Sequence, residues 1–200
     1  MQEIKNSFQS FKISNMETFT TKVSSTFDAL KETFGYSNVM QTPKIQKVVV
    51  SVGTGKVDDK NRIALIQDRL ARITGQKAAP RPARLSIATF KLREGDIIGY
   101  QVTLRGERMQ HFLDKLIHIA LPQTRDFRGL KATSIDEMGN ITLGIKEHTI
   151  FPETHDEELK DVFGLAITMV TSAKTKEEAE ALLRHIGLPL QKPEADTAEA

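Results

Sequence analysis

The sequence of 200 residues contains no cysteine, and this absence excludes disulfide bridges and thiolate metal sites. No apolar run approaches the roughly 18–20 residues that a membrane-spanning helix needs, and no apolar core of a signal peptide follows the N-terminus. A large excess of one charge is missing as well, since 28 Lys and Arg face 26 Asp and Glu. The net charge of +2 does not by itself indicate a polyanion as partner. We expect a soluble, cytoplasmic protein.

The usual sequence signatures of catalysis are also absent. There is no GxSxG nucleophile elbow and no HExxH zinc motif, and a thiol nucleophile is impossible. Gly53-Thr54-Gly55 completes neither phosphate-loop consensus, and the two aspartates that follow would repel a phosphate there. A loose metal site is permitted by Glu147, His148, His155 and Asp156, although structural or surface histidines are the favoured interpretation. The sequence therefore predicts no enzyme, no cofactor and no metal.

The charges that are present are unevenly distributed. Residues 76–93 carry no acid, but they carry five cations: Lys77, Arg81, Arg84, Lys91 and Arg93. Pro80 and Pro82 exclude a helix in this stretch, because each lacks a backbone donor and disfavours helical geometry in the residue before it. A basic, proline-stiffened loop is typical of contact with a polyanion, whereas loop cations are also often merely solvated. The residues of this stretch leave both readings open.

Hydrophobic periodicity predicts the secondary structure. Helices are predicted over 18–34, 60–74, 107–120 and 175–186. Strands are predicted over 44–52, 86–93, 97–105 and 164–171, with a second hairpin over 132–145 that turns at Gly139-Asn140. Asp58 or Asp59 caps the second helix, Pro122 ends the third, and a Thr175-x-x-Glu178 capping box opens the fourth.

This order of elements indicates an α+β fold. Strands joined by tight turns favour an antiparallel or mixed β-sheet with helices packed on one face, in a split-βαβ-like sandwich that leaves the other face free for RNA. We expect an N-terminal extension over 1–16, a single domain over 17–188 and an acidic disordered tail over 189–200.

A series of short motifs then appears in a fixed order along the chain. They are Ser37-Asn38-Val39-Met40-Gln41-x-Pro43, Thr74-Gly75-Gln76-Lys77, Phe90-Lys91-x-Arg93-x-Gly95, Val102-Thr103-Leu104-Arg105-Gly106-Glu107-Arg108-Met109, Arg125-Asp126-Phe127-Arg128-Gly129-Leu130, Ile150-Phe151-Pro152-Glu153 and Thr171-x-Ala173-Lys174. With these motifs the chain, from about Thr18 to Leu188, resembles the fifth protein of the bacterial large ribosomal subunit, the universal 5S-rRNA-binding family.

The resemblance implies a function as well as a fold. It implies a structural protein of the central protuberance whose sheet surface grips 5S rRNA and whose extended basic loop reaches the elbow of the P-site tRNA. It further implies contact with 23S rRNA, with neighbouring large-subunit proteins and with a protein of the small-subunit head. A non-ribosomal protein-interaction module with a similar sandwich is the alternative.

The resemblance also implies which residues bind. Those expected to contact rRNA are Asn38, Gln41, Ser51, Gln76, Phe90, Thr103 and Arg105, and those expected to face tRNA, within the loop from Lys77 to Ile87, are Lys77, Arg81, Arg84, Leu85 and Ser86. Structural roles compete with three of these assignments. In the structural alternative, Phe90 is a core residue, Thr103 only pairs across its hairpin, and Arg105 joins Glu107 in a surface ion-pair cluster.

Three positions depart from the pattern that is usual in the family. Ser51 stands where the family usually has asparagine, so one contact is lost or becomes water-mediated. Leu85 replaces a lysine, and Pro82 is added nearby, so the loop is stiffer and less charged.

Overall fold

A computed structural model describes residues 19–55, 59–125, 127–154 and 162–191 of the chain. Several predictions fall outside these residues: the N-terminal extension, the alternative cap Asp58, the possible ligands His155 and Asp156, and the end of the acidic tail. The division into an extension, one domain and a tail therefore stays a prediction.

All four predicted helices are present among the described residues. They are α1 (Phe19–Phe34), α2 (Lys60–Thr74), α3 (Gly106–Lys115) and α4 (Lys176–Ile186). Asp59 caps the start of α2, and its carboxylate accepts a hydrogen bond from Asn61 N at 2.9 Å. Helix α4 begins at the predicted cap Thr175, whose Oγ1 accepts from Glu178 N at 3.3 Å, while the Glu178 carboxylate accepts from Lys174 N at 2.9 Å. Local capping chemistry thus sets both starting points.

The predicted end of α3 at Pro122 is wrong. The helical path continues through a π-helical turn, Leu116–Ala120, and a final turn, Leu121–Gln123, that contains the proline. Proline is tolerated at the first positions of a helical turn, because its missing N–H breaks no hydrogen bond there. The wider π turn separates this last turn from the regular ladder of α3.

Five antiparallel strands form one sheet. They are β1 (Ile45–Gly53), β2 (Ala79–Pro82), β3 (Ile97–Leu104), β4 (Ile141–Ile145) and β5 (Leu165–Thr171), in the spatial order β2-β3-β1-β5-β4. Because β1 and β2 both run antiparallel to β3, which lies between them, β1-α2-β2 forms a split βαβ unit. The predicted α+β class is confirmed, and of the two predicted sheet types the antiparallel one is observed.

The predicted first strand of the basic hairpin is misplaced. Residues 86–93 contain a 3-10 turn, Ala88–Phe90, and a single bridge between Ile87 and Leu92. The partner of β3 is instead β2, which contains both prolines of the basic stretch. Since β2 is the outermost strand, a proline there can direct its missing donor away from the ladder.

The second predicted hairpin is half correct. Its turn forms, with Asp136 N donating to Asn140 O at 2.8 Å. The segment before the turn contains only a 3-10 turn, Ala132–Ser134, and one bridge from Ile135 to Ile141. Strand β4 pairs with β5 along its whole length, because that register buries Ile141, Leu143 and Ile145 under the helices.

The sheet has one buried face and one accessible face. Along β1, Val48, Val50 and Val52 are 0–3% exposed, whereas the residues between them are half-buried. The ladders extend this alternation across the neighbouring strands. We call the accessible side the open face; its residues are Lys47, Val49, Ser51, Gly53, Ala79, Arg81, Gln101, Thr103, Thr142, Gly144, Ala166, Thr168 and Val170.

One histidine belongs to the core. His148 is fully buried, and its ring stacks on Phe163 with centroids 4.0 Å apart. Its Nδ1 accepts a hydrogen bond from Phe163 N at 3.3 Å. Burial lowers the pKa of His148, and the nearby Arg69 guanidinium lowers it further. The ring therefore acts as a neutral acceptor.

Among the described residues, no group of histidines and carboxylates is placed to hold a metal ion. No helix in that part of the chain is long and apolar enough to cross a membrane.

Candidate nucleic-acid interface

Short side chains cross the open face in two parallel rows. Strand register aligns one row as Ala79, Gln101, Ser51, Ala166 and Gly144, and the other as Thr103, Val49, Thr168 and Thr142. Five strands at the usual spacing span about 19 Å. Because few of these side chains are large, a sugar–phosphate backbone can approach the sheet closely along the rows.

The open face contains no acidic residue. Its charged members are Lys47 on β1 and Arg81 on β2. Arg81 Nε donates to Gln101 Oε1, which holds the guanidinium against the outer edge of the sheet. A polyanion therefore meets cations and neutral hydrogen-bonding groups here, and it displaces no carboxylate.

Ser51 and Thr103, both predicted to bind rRNA, come together on this face. Ser51 pairs with Gln101, and Thr103 pairs with Val49, so the two hydroxyls lie diagonally on neighbouring strands. Thr103 therefore pairs with β1 and, among the described residues, with no strand of its own hairpin. Its hydroxyl has no side-chain hydrogen bond to Val49, which is apolar, and lies on the open face.

Gln76 is positioned by the end of α2. It follows Gly75, the left-handed residue that closes the helix, and Gln76 N lies 3.4 Å from its acceptor, Thr74 Oγ1. Arg108 of α3 donates to the Gly75 carbonyl at 3.2 Å and so ties the two helix ends together. Arg105 is exposed between β3 and α3, and within the described part of the chain it makes no ion pair with Glu107.

Asn38 and Gln41 frame an exposed 3-10 turn, Val39–Gln41. Asn38 Oδ1 accepts from Met40 N at 3.0 Å, and Gln41 Oε1 accepts from Ser37 N at 3.0 Å. Both amide oxygens are thus used to stabilise the turn. The amide NH₂ groups are left as outward donors, which suit phosphate oxygens and base acceptors.

The predicted tRNA segment divides into two parts. Arg81 lies inside β2, the outermost strand, and Lys77 precedes that strand by two residues. Residues 84–94, which we call the projecting loop, contain Arg84, Leu85 and Ser86. The loop is closed at its base by Ala83 N donating to Asp96 O at 2.8 Å and Gly95 N donating to Ala83 O at 3.0 Å. Ser86 Oγ accepts from Glu94 N across the loop.

Phe90 belongs to the projecting loop and not to the sheet. Its placement on a strand beside Thr103 is therefore wrong, and so is the alternative that it is a core residue, because it is 68% exposed. Leu85 is 72% exposed in the same loop. The loop thus presents apolar groups together with the cations Arg84, Lys91 and Arg93.

All five open-face positions on β4 and β5 were missed at the sequence level: Thr142, Gly144, Ala166, Thr168 and Val170. The alternation in β4 and β5 marks them as outward-facing once the strands are known. It does not reveal that β5 lies beside β1, and only that pairing joins them to Ser51 in one surface.

Comparison with known proteins places the sequence of this chain in a family. The family model described as "Ribosomal protein L5" matches residues 38–93, and the model of the C-terminal part of the same ribosomal family matches residues 97–190. The chain belongs to this ribosomal protein family. The predicted family is thereby confirmed, and its members are components of the ribosome. Ribosomal RNA and ribosomal proteins are the expected partners of such a protein, and its role is structural and not enzymatic.

Relatives from distant bacteria support the same assignment. The chain is 53% identical over 165 residues to the large ribosomal subunit protein uL5 of Flavobacterium johnsoniae, covering 82% of this chain and 90% of the relative. It is 51% identical to uL5 of Geobacter sulfurreducens, covering 82% and 92%. With uL5 of Ureaplasma urealyticum it shares 50% identity, covering 84% and 91%.

Proposed function

We propose that the protein binds 5S rRNA in the central protuberance of the large subunit and that the open face is the binding surface. The observation that carries this proposal is an acid-free face of short side chains, centred on the Ser51 and Thr103 hydroxyls. Hydroxyls and amides can both donate to phosphates and exchange hydrogen bonds with ribose 2′-OH groups. Such a face suits RNA better than it suits an apolar protein surface.

Individual residues then have distinct roles. Thr103, Ser51 and Gln76 contact riboses and phosphates and so set the register of the RNA on the sheet. Lys47, Arg81 and Arg105 supply the salt-dependent part of the affinity. Because serine is shorter than the asparagine usual in the family, a bridging water completes the contact at Ser51.

The projecting loop is the part that reaches the P-site tRNA in this proposal. Arg84 and Lys91 meet its phosphates, while Leu85 and Phe90 pack against a ribose or base. Asn38 and Gln41 add donors for 5S or 23S rRNA. Contact with neighbouring large-subunit proteins and with a small-subunit head protein completes the proposal, and these contacts rest on the family resemblance.

The double variant Thr103→Ala with Gln76→Ala tests the proposed rRNA contacts of Thr103 on the open face and of Gln76 in the segment that precedes β2. We expect binding to 5S rRNA to weaken about tenfold, because each lost hydrogen bond to an RNA group contributes about 0.5–1.5 kcal/mol. The dependence of affinity on salt should stay as steep as in the wild type, since neither residue is charged. Filter binding at several salt concentrations measures both quantities.

The matched control is Thr20→Ala with Gln123→Ala, which removes the same groups from exposed positions off the sheet. It should bind like the wild type. If wild-type protein binds unrelated duplexes as well as 5S rRNA, the proposal is wrong. Capture of a protein partner that survives nuclease treatment, without any RNA footprint, would favour the alternative interaction module.

The proposed tRNA contact of the projecting loop can be tested separately from 5S rRNA binding by the open face. In Arg84→Gln with Lys91→Gln, 5S rRNA affinity should change by less than about twofold, because the loop lies beyond the open face. Reconstituted ribosomes carrying the variant should protect the P-site tRNA elbow less from hydroxyl radicals. Full protection of the elbow, or loss of 5S binding, would contradict the division of roles. Lys146→Gln with Lys174→Gln, at exposed positions outside the loop, serves as the charge-matched control.

A further inference from the structure

A pocket lies away from the open face, between α1, the segment 39–46, the start of α3 and the end of α4. Its volume is about 410 Å³. Phe19, Met109 and Leu182 form buried parts of its apolar wall. Val39 and Met40 stand at its mouth and are 62% and 85% exposed. The hydrogen bonds of Asn38 and Gln41 stabilise the turn that contains Met40, so the backbone conformation keeps the Met40 side chain exposed.

Six of the described polar residues line the pocket: Ser24, Thr26, Thr42, Lys44, Gln46 and Gln110. The Ser24 and Thr26 hydroxyls donate to backbone carbonyls of α1. Gln46 and Gln110 supply side-chain amides, and Lys44 supplies the sole charge among the described lining residues. No described lining residue is acidic. Thr42 also lines the pocket, and its buried hydroxyl oxygen has no hydrogen-bond partner among the described residues. The pocket thus combines apolar walls, an unpartnered hydroxyl, two amides and a cation.

We propose that this pocket receives an unpaired nucleobase of ribosomal RNA. An unstacked base has two apolar faces and a polar edge, and RNA-binding proteins hold such bases between apolar side chains and polar groups. The thioether of Met40 packs well against an aromatic ring, and amides can donate to and accept from any base edge. Lys44 is placed to meet the phosphate of the same nucleotide.

The position of the pocket fits the proposed function on which this inference rests. Segment 39–46 leads directly into β1, the central strand of the open face. An RNA that lies on the sheet therefore has only to continue past the start of β1 to reach the pocket. The volume lies within the usual range for small-ligand sites, about 300–1,000 Å³, and leaves room for one base with part of its ribose.

The N-terminal segment is the competing occupant, because Phe8 and Phe11 precede Phe19 in the chain. A phenyl ring would match the apolar walls. It would leave the Thr42 hydroxyl, the two amides and the Lys44 ammonium without partners, and such mismatched polar groups weaken binding. The polar lining therefore favours a base.

The first test compares Met40→Ala and Gln110→Ala with the control Met138→Ala, which removes an exposed methionine from the loop before β4. Separate titrations with 5S rRNA and with 23S rRNA distinguish the two sources of the base. We expect each pocket variant to weaken binding to one of these RNAs about tenfold, the usual effect of losing one base contact. The salt dependence of binding should be unchanged, because no charge is removed.

The second test observes the pocket directly through carbon-13 labelled methionine methyl groups in the full chain. Addition of the bound RNA should shift the signals of Met40 and Met109, which line the pocket, and leave that of Met138 in place. Wild-type affinity in Met40→Ala together with unmoved Met40 and Met109 signals would overturn the inference while sparing the proposed function. Absence of rRNA binding by the wild type would overturn both. A shift of Met40 caused by Phe8→Ala with Phe11→Ala, without RNA, would assign the pocket to the N-terminal segment instead.

Discussion

Ala166→Glu is expected to weaken 5S rRNA binding about 100-fold, which corresponds to about 2.7 kcal/mol. Ala166 lies in the middle of the open face, paired with Ser51 on one side and Gly144 on the other. A glutamate there places a carboxylate against RNA phosphates, and juxtaposed like charges across an interface cost several kcal/mol. In the free protein the new side chain extends into solvent, so the fold should be kept. Filter binding at fixed salt measures the affinity, and circular dichroism checks the fold.

The control for this change is Ala64→Glu, which adds the same charge at an exposed position of α2, away from the open face. Its affinity should fall by less than about threefold, because it changes only the net charge. Equal losses in the two variants would show a general charge effect and remove the open face from the proposal. Unchanged binding in Ala166→Glu would place the RNA elsewhere on the molecule.

The stability of the protein is expected to fall as pH drops below about 6.5, and His148 is the main cause. Burial lowers the pKa of His148 in the folded state, so the unfolded chain takes up the proton first as pH falls. The stabilisation is therefore complete above the unfolded-state pKa and declines below it, by up to about 1.4 kcal/mol per pH unit. Urea unfolding at pH 7.5 and pH 5.5 measures the change.

His148→Asn separates this titration from that of other groups. Asparagine Oδ1 can take the place of Nδ1 as the acceptor for Phe163 N–H, but it does not titrate. The variant loses the ring stacking on Phe163 and should be less stable at pH 7.5. Its stability should nevertheless fall less between the two pH values than that of the wild type. An equal fall in both proteins would show that His148 does not carry the acid sensitivity.

Local signals located the helices, apart from the end of α3. The spacing of apolar residues located α1, α2 and α4, and the predicted caps, Asp58 or Asp59 for α2 and Thr175 for α4, placed the starting points of the last two to within one residue. These features depend on residues within three or four positions, so a single sequence contains them in full. Pro122 misled the prediction, because the π turn before it changes the hydrogen-bond pattern in a way that composition does not show.

The basic stretch shows where local reasoning failed. Residues 86–93 are rich in residues that favour strands, yet they form most of the projecting loop, and the proline-containing Ala79–Pro82 forms the strand. Position in the sheet decided this outcome. An outermost strand tolerates proline, and whether a strand is outermost depends on partners distant in sequence. Phe90 was misplaced for the same reason.

The family motifs, spread from Ser37 to Lys174, are read from the sequence alone, and they were enough to assign the chain to its ribosomal family. What the sequence alone determined about the basic stretch was its charge, its lack of acids and its resemblance to a tRNA-facing loop.

Only the tertiary structure decided which residues share a surface. Strand pairing brings Ser51, Thr103 and Ala166 from three separate segments onto one face, and it leaves Phe90 on the projecting loop. The physical reason is that a binding surface on a sheet is defined across the strands, by register between distant segments. Periodicity within one strand reveals which side chains point outward, but not which neighbours they meet.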